Sequence, residues 1–367
     1  MGEVYNPAQM TENTALPSSD PTSGEPRVPS TDRLLELIDA MAGQPVLMLV
    51  DMVADRFITG TPKRISREAP VLILRHESDR LIPGGGANAV ANVQALGGQP
   101  LCLGVVGDDA SGRELLELFA ARGIDTSGLA VRPGYATPTK VRILGGGRHS
   151  IKQQIVRYDI EDQVELGEAE LAAFDRALEG WRGRARTALL SDYGYGAVGP
   201  ELTPRLRQAL ADDGRVLCDS RYRLQDFRGI DAATPNAEEA EAILAAGLDA
   251  DLGAAGRALR ARLECPTLLV TRGSSGMSLF VAGGAAHLPV HGTTQVADVT
   301  GAGDTVIGTF ALATAAGATP LEAALLANYA GGIVVMKMGT ATADRDELAA
   351  AVTSNPALLE QVTWAAS

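Results

Sequence analysis

Hydrophobic positions along the chain recur at two spacings that predict different elements. Residues 32–41 carry apolar side chains at helical spacing, and residues 45–50 form a short apolar run typical of a buried strand. From residue 168 onward, helix-like and strand-like segments alternate. Helices are predicted at 171–180, 201–212, 237–246, 254–263, 305–315 and 321–336, strands at 187–191, 216–219 and 267–271, and a hairpin at 277–289. Repeated alternation favours an α/β fold with a mostly parallel central sheet and helices on both faces.

Two β-rich segments, near residues 56–82 and 139–160, interrupt this alternation. Between them the pattern predicts helices at 89–96 and 111–122 and a strand at 101–106. The two segments do not fit a parallel sheet, so we expect them to form a small β lid outside it. Residues 1–31 are rich in Pro, Ser and Thr without periodicity, which predicts a disordered leader before one domain over 32–367.

The composition is typical of a folded protein with a sizeable core. Of the 367 residues, 46% are hydrophobic and 21% are charged. The formal net charge of −13 disfavours a general role in binding nucleic acid. Cys102, Cys218 and Cys265 lie far apart in apolar stretches, which indicates buried free thiols in a reducing compartment. Without a signal-peptide pattern or a long apolar run, we expect no membrane partner and a cytoplasmic location.

Residues 298–304, Asp-Val-Thr-Gly-Ala-Gly-Asp, directly precede a predicted helix. Small residues let the backbone N–H groups of Gly301, Ala302 and Gly303 point at one spot, as in an anion hole. Asp304 would then lie within reach of the bound group and could take a proton from a hydroxyl that attacks a phosphoryl group. The alternative is a tight turn in which Asp304 only caps the helix.

A second glycine-rich loop, residues 83–88, also precedes a predicted helix. Its glycines would allow a ligand close to the backbone, and Asn88 offers both a donor and an acceptor. A plain N-terminal turn is the alternative. Asp51 and Asp55 follow the first predicted strand, at the end where open α/β sheets usually bind ligands.

Oxygen-bearing side chains follow later strands as well. Asp219 ends one predicted strand, while Asn236 and Glu239 stand where a helix begins. Such hard donors suit Mg²⁺ and its waters, and the loop 271–276, Thr-Arg-Gly-Ser-Ser-Gly, suits phosphate. Together they describe a nucleotide site, although an acidic residue at a helix start is also favourable without any metal.

The order of these motifs resembles the ribokinase-like (PfkB) carbohydrate kinase family over about residues 45–348. Within that family the chain is most similar to the D-glycero-β-D-manno-heptose 7-phosphate kinases, which form half of a bifunctional kinase/adenylyltransferase. The similarity rests on the two glycine loops, on Asn-Ala-Glu-Glu at 236–239, and on Arg-Ile-Ser-Arg-Glu-Ala-Pro-Val at 64–71, Gln-Gln at 153–154, Ser-Asp-Tyr at 191–193 and Lys-Met-Gly-Thr at 337–340.

The resemblance implies a three-layer α/β/α ribokinase-like fold and an enzyme that uses ATP and Mg²⁺. The implied reaction phosphorylates the anomeric 1-hydroxyl of the heptose 7-phosphate to the 1,7-bisphosphate, a lipopolysaccharide precursor on the way to ADP-heptose. Asp304 would be the base, and Gly301, Ala302 and Gly303 would form the anion hole. The implied ligand contacts are Asp55, Gly84, Gly85, Asn88, Lys140, Arg142 and Gln154 for the sugar, Thr271, Gly273, Gly276 and Asn328 for the nucleotide, and Asn236 and Glu239 for Mg²⁺ through its waters. A homodimer through the lid is implied too.

For the phosphate end of the sugar we nominate Arg64 together with Lys63. The chain departs from the heptose kinases at two places, since they carry Lys near the position of Tyr195 and Asp-Pro-Lys where this chain has Asp-Ser-Arg at 219–221. A phenol removes a charge, and Arg replaces a point charge with a fork. A kinase for another sugar, sugar phosphate or nucleoside therefore stays open, as does a non-catalytic sugar-binding module. Since the chain ends soon after the similarity, we expect the adenylyltransferase half to be absent.

Overall fold

The computed structural model describes residues 27–147, 152–248, 252–292 and 297–366. The disordered leader was predicted over residues 1–31, and residues 1–26 of it lie outside the described residues. The first helix begins at Thr31. Part of the second predicted β segment, residues 148–151, also lies outside them.

Helices and strands alternate over most of the described chain. The helices are α1 (Thr31–Ala40), α2 (Gly85–Ala95), α3 (Ala110–Ala121), α4 (Glu168–Trp181), α5 (Thr203–Ala209), α6 (Ala237–Leu244), α7 (Leu252–Leu263), α8 (Ala302–Ala315), α9 (Pro320–Val334), α10 (Arg345–Ser354) and α11 (Ala357–Glu360). The strands are β1 (Pro45–Val50), β2 (Met52–Ile65), β3 (Leu72–Gly84), β4 (Gln99–Gly107), β5 (Leu129–Arg132), β6 (Thr139–Gly145), β7 (Gln153–Ile160), β8 (Thr187–Asp192), β9 (Arg215–Ser220), β10 (Ala232–Ala233), β11 (Thr267–Thr271), β12 (Met277–Val281), β13 (Gly284–Leu288) and β14 (Thr363–Ala366).

Ten of these strands form one sheet in the order β14-β13-β12-β11-β10-β9-β8-β1-β4-β5. Pairing is parallel from β11 to β5 and antiparallel from β11 to β14. Strand β1 is the third strand from the β5 edge, between β8 and β4, and is buried on both faces. Met48 and Val50 pack into the core on one side of the sheet, and Leu47 and Leu49 pack into the core on the other. Helices therefore cover both faces in three layers, because a continuous apolar strand must be shielded twice.

The lid is a separate four-stranded sheet in the order β3-β2-β6-β7. Its register places Asp55, Lys140 and Asp159 in one row across β2, β6 and β7, with Arg142 and Arg157 two rows further along. Alternate residues of a strand share a face, so these charged side chains lie on the same side of the lid. Strand β2 begins two residues after the end of β1. The side of the lid that carries these charges therefore faces the carboxyl end of β1 in the main sheet.

Two of the predicted helices begin or end at residues other than those expected, and some observed elements were not predicted. Helix α2 begins at Gly85 rather than at 89, because two of the loop glycines form its first turn, where backbone N–H groups need no helical partner. Helix α5 stops at Ala209 instead of 212, since Leu210 is already extended. The elements from α10 to the end of the chain were not predicted, and β14 is too short to show a period before it pairs with β13.

Candidate functional site

The candidate site lies at the carboxyl ends of the parallel strands, where the chain leaves β1, β8, β9 and β11. Asp51, Tyr193 and Arg221 directly follow β1, β8 and β9, and Thr271 is the last residue of β11. Strand order places β1 beside β8 and β8 beside β9, although the strands are far apart in sequence. The N-termini of α2 and α8, which pack against each other, meet the same edge. Side chains from distant segments therefore converge on one place.

Asp304 is one of the most deeply buried charged groups of this edge. It lies in the first turn of α8, which follows Gly301 in the left-handed conformation at φ +79°, and its side chain is buried. Its Oδ1 accepts a hydrogen bond from Tyr193 Oη at 2.6 Å, and its Oδ2 accepts one from Asn88 Nδ2 at 3.1 Å. Burial raises the pKa of Asp304 to about 7, although both hydrogen bonds act in the opposite direction. A carboxylate with this pKa can accept a proton near neutral pH.

The backbone before Asp304 forms the start of the predicted anion hole. The Ala302 N–H already donates to Val299 O at 3.2 Å, so it is shared with the turn. A Cβ on Gly301 would lie 2.6 Å from Asn88 Nδ2, whereas a Cβ on Gly303 would meet nothing within 4 Å. Gly301 is therefore required by packing, and Gly303 leaves open space for a ligand at the helix N-terminus.

The glycine-rich loop at residues 83–88 also lies beside Asp304. Asn88 is buried in α2 and also donates to Gly301 O at 3.3 Å, so it links the two glycine loops. A Cβ on Gly84 would lie 2.7 Å from the Asp55 carboxylate, and Gly85 has φ +49°. Both glycines are needed to bring the backbone of this loop against Asp55.

Asp55 stands at the base of the lid and is buried. Arg142 Nη1 lies 2.5 Å from its Oδ1, and Thr340 Oγ1 donates to its Oδ2 at 2.7 Å. The ion pair therefore joins two lid strands, and the threonine joins them to the segment after α9. Thr340 was not predicted as a site residue; its only signal was its place in the Lys-Met-Gly-Thr stretch.

Lys140 faces Asp304 from the lid. Its ammonium lies 5.2 Å from the centre of the Tyr193 ring, and burial lowers its pKa even though Asp55 and Asp304 favour the charged form. Arg142 is paired with Asp55, and Arg157 is paired with Asp159. Together with Lys140 these side chains leave one net positive charge on the site-facing side of the lid, which suits an anionic ligand.

Asp51 was a candidate ligand residue at the end of β1, but its carboxylate is occupied by the protein. It accepts hydrogen bonds from the N–H groups of Tyr193, Tyr195 and Ala197 at 2.7, 3.1 and 3.1 Å. Burial raises its pKa to about 6, opposed by these three donors. Asp51 thus anchors the loop after β8, and that loop presents Tyr193, which we also did not predict as a site residue.

Two cavities adjoin at Thr271, Val299 and Gly303. The first has a volume of about 340 Å³ and a mainly apolar lining. Its lining includes the predicted nucleotide residues Thr271, Gly273, Gly276 and Asn328, together with Val306 and Gly331. Asn328 Nδ2 donates to Pro289 O at 2.7 Å. The size and lining suit a flat heterocycle.

The second cavity, of about 810 Å³, is polar and contains Asn236 and Glu239 together with Asp219 and Arg221. Asn236 and Glu239 cap α6 reciprocally: each side chain accepts a hydrogen bond from the other residue's N–H, at 2.9 and 3.0 Å. Glu239 therefore stabilises the start of α6 whether or not a metal ion is bound. Burial and the nearby carboxylates of Glu239 and Asp304 hold the pKa of Asp219 well above its ordinary value.

The side chains of this polar cavity offer oxygen ligands of the kind that Mg²⁺ prefers. Among the described residues no three Asp, Glu, His or Cys side chains are close enough to hold a metal ion by themselves. The carboxylates of Asp219 and Glu239 repel each other across the cavity, which a cation would relieve. Mg²⁺ usually keeps several waters and binds through one or two carboxylates plus substrate phosphates, so the arrangement fits such a site.

Three predicted residues are not brought to this group of side chains. Gln154 is exposed on β7, where it pairs with Leu144. Arg64 is exposed near the far end of β2, and at the rise of a β-strand it lies about 30 Å from Asp55. Lys63 beside it is exposed as well.

Comparisons with known proteins give consistent results. The family description "pfkB family carbohydrate kinase" matches residues 47–347. The chain is 38% identical over 326 residues to the "Bifunctional protein HldE" of Paramagnetospirillum magneticum, covering 87% of this chain and 65% of that one. It is 42% identical over 314 residues to the protein of the same name from Methylococcus capsulatus, covering 84% and 63%. The chain thus spans just under two thirds of the length of these relatives.

Solved structures show the fold. Phosphofructokinase-2 from Escherichia coli, in complex with substrates and products, superposes with a TM-score of 0.67 at 18% identity, covering 87% of this chain and 100% of that one. The ribokinase of Arabidopsis thaliana, complexed with ribose and ATP, gives 0.64 at 19% identity, covering 85% and 99%. The predicted ribokinase-like α/β fold with a mostly parallel sheet is confirmed. In the described part of the chain no helix has the length and apolar character needed to cross a bilayer.

Proposed function

The chain belongs to the pfkB family of carbohydrate kinases, and from that premise we propose that it phosphorylates the anomeric 1-hydroxyl of D-glycero-D-manno-heptose 7-phosphate with ATP. The product would be the 1,7-bisphosphate, a precursor of ADP-heptose. The observation that supports the reaction type best is the buried Asp304, which lies at the N-terminus of α8 between Asn88 and Tyr193. The names of the relatives and the match at 64–71 support the choice of a heptose phosphate.

The substrates can be assigned to places in the site. The base and sugar of ATP would occupy the apolar cavity beside Asn328, and the phosphates would pass Thr271 and Gly303 into the polar cavity. The acceptor sugar would lie between Asp304 and Asp55, below the lid. Its phosphate would meet the cationic side of the lid, where Lys140 and Arg157 stand; Arg64 lies farther out.

In the proposed reaction Asp304 accepts the proton of the 1-hydroxyl while that oxygen bonds to the γ-phosphorus. The bond from phosphorus to the bridging oxygen breaks, and ADP leaves with the electron pair. The N–H groups of Gly301 and Gly303 point positive charge at the transferred group, which is the main contribution that proteins make to phosphoryl transfer. Mg²⁺, held through its waters by Asn236 and Glu239 with Asp219, would neutralise phosphate charge when bound.

A panel of acceptors tests this function. ADP release would be measured with heptose 7-phosphate, fructose 6-phosphate, ribose, free heptose and adenosine, each with and without a chelator. We expect kcat/KM for heptose 7-phosphate to exceed that for the unphosphorylated acceptors by at least about 10², because a site that binds a polar group discriminates strongly against analogues that lack it. It should also exceed kcat/KM for fructose 6-phosphate, and activity should vanish with the chelator. Reaction with unphosphorylated sugars alone would contradict the proposal.

A kinase for a different sugar phosphate is the second candidate. It is favoured by Tyr195, which stands where the heptose kinases carry Lys and whose hydroxyl donates to Glu161 Oε1 at 3.0 Å. The same panel distinguishes the two, since this candidate predicts its highest kcat/KM with another phosphorylated sugar. A non-catalytic sugar-binding module would release no ADP with any acceptor.

We also propose that two copies associate through the lid. Its far end exposes large apolar side chains: Ile65, Val71 and Leu72 have 67%, 55% and 43% of their surface exposed. Exposed apolar clusters of this kind often mark protein interfaces.

Replacing Ile65 and Leu72 with Glu is expected to shift the protein from dimer to monomer, because each buried carboxylate would lack a partner. Sedimentation velocity at micromolar concentration measures the change. Val131→Glu, at a half-exposed position on the edge strand β5, is the control and should leave the mass unchanged. A monomeric wild-type protein would contradict the lid dimer.

A further inference from the structure

Tyr193 makes the shortest hydrogen bond to the proposed base. It follows the last residue of β8, and its hydroxyl lies 2.6 Å from Asp304 Oδ1. Asn88 contacts only the other oxygen, Oδ2, at 3.1 Å. One carboxylate oxygen is therefore oriented by a phenol and the other by an amide, and each retains a lone pair for a substrate proton.

The ring of Tyr193 is held from several sides. Its backbone N–H is bound by the buried carboxylate of Asp51 at 2.7 Å. The Lys140 ammonium lies over the ring at 5.2 Å, and a Cβ on Gly85 would approach the ring to 3.3 Å. A side chain fixed by β1, the lid and α2 can hold the Asp304 carboxylate in one orientation with little loss of entropy on binding.

The proton of this hydrogen bond belongs to the phenol. Burial, followed by the carboxylates of Asp304 and Asp219, holds the pKa of Tyr193 well above its ordinary value, so the hydroxyl is a donor throughout the neutral range. The groups facing Asp304 are Asp55 and Asp219, which disfavour its charged form, and Lys140, Tyr193 and Asn88, which favour it. Hydrogen bonding to a carboxylate favours the ionised form that can act as a base.

We propose that Tyr193 is a positioning residue for the phosphoryl transfer, which holds Asp304 ionised and turned toward the acceptor hydroxyl. The inference rests on the proposed kinase function, because it concerns the base of that reaction. It assigns a role to the aromatic residue of the Ser-Asp-Tyr stretch, and it explains why Asp51 is buried beneath the loop that carries it.

The test is the pH dependence of kcat/KM in wild type and in Tyr193→Phe. Asp304 must lose its proton to act, so activity should rise with pH through a wild-type limb near 7. Removal of the phenol hydroxyl raises the pKa of Asp304, so the limb of the variant should move upward by about one to two pH units. Activity at pH 7 then falls by about 5- to 50-fold and recovers at pH 9.

Tyr195→Phe is the matched control. Tyr195 lies on the same loop and its N–H is also held by Asp51, but its hydroxyl binds Glu161 rather than Asp304. Its limb should stay at the wild-type pH. A Tyr193→Phe profile that is lower at every pH, with the limb unmoved, would show a merely structural role and overturn the inference.

A second measurement separates this inference from the kinase function. The carboxyl ¹³C signal of Asp304, assigned by its loss in Asp304→Asn, can be titrated in both proteins without any substrate. A raised midpoint in Tyr193→Phe supports the inference even if the wild type phosphorylates none of the acceptors, in which case only the proposed function fails. If Tyr193→Phe does not fold, Tyr193→3-fluorotyrosine, a stronger donor, should lower the midpoint; an unchanged midpoint overturns the inference.

Discussion

Asp304→Asn is expected to lower kcat by about 10² to 10⁴, the usual loss when a general base is removed. An amide cannot accept the proton of the 1-hydroxyl at neutral pH. It can still accept the hydrogen bond of Tyr193, but its NH₂ group would face the NH₂ group of Asn88, which donates to Oδ2 in the native protein. The variant should therefore keep one of the two hydrogen bonds at this position and lose the other, together with the group that accepts the proton. Initial rates at saturating ATP and sugar measure the effect.

Asp175→Asn is the control, because Asp175 is exposed and pairs only with Arg205 at the surface, between α4 and α5. It should leave kcat unchanged. ATP affinity, measured by calorimetry, should be similar in wild type and Asp304→Asn, since Asp304 is not among the residues that line the nucleotide cavity. Turnover within a few-fold of wild type in Asp304→Asn would remove Asp304 as the base.

Asp55→Ala is expected to reduce the free energy of unfolding by about 3–5 kcal/mol, as is typical when one partner of a buried ion pair is removed. The side chains of Arg142 and Asp55 are 10% and 4% exposed, so the guanidinium would stay in the interior without its counter-charge. Thr340 would lose its acceptor as well. Urea denaturation followed by circular dichroism measures the loss.

The lid offers a control of the same chemistry at its surface. Asp79 pairs with Arg56 at 2.7 Å, its side chain is 39% exposed, and Arg56 keeps Glu114 as a second partner. Asp79→Ala should therefore cost less than about 1 kcal/mol. Adding Arg142→Met to Asp55→Ala should recover much of the stability, because no buried charge is then left unpaired. Equal losses in Asp55→Ala and Asp79→Ala would show that burial of the pair is unimportant.

Much of the fold could be predicted from local patterns. Strand β1 is a continuous apolar run because both of its faces are buried, and α8 and α9 follow loops whose glycines are visible in the sequence. The order of such strands and helices along the chain predicted the ribokinase-like fold, which is confirmed. Strand β14 was missed, since it has four residues and gains its structure from pairing with β13 rather than from its own pattern. Helix α10 was missed although its capping box, Asp344 with Glu347, is a local signal.

The sequence by itself determined which loops carry the candidate chemistry. Two glycine-rich turns before helices identified Asp304 and Asn88, because the backbone conformation of such turns depends on the residues within them. The structure places these two side chains in contact, with a hydrogen bond across 216 positions of the chain.

Only the tertiary structure decided which side chains surround Asp304. Tyr193 lies 111 positions from Asp304, Thr340 lies 285 from Asp55, and Asp51 lies 142 from Tyr193, so no local pattern relates them. The sheet places β8 beside β1, and α8 packs against β8. The segment after α9 reaches the lid through Thr340. A hydrogen bond depends on distances of a few tenths of an ångström, which the packing of distant elements sets. The neighbours that tune the base are therefore a property of the fold.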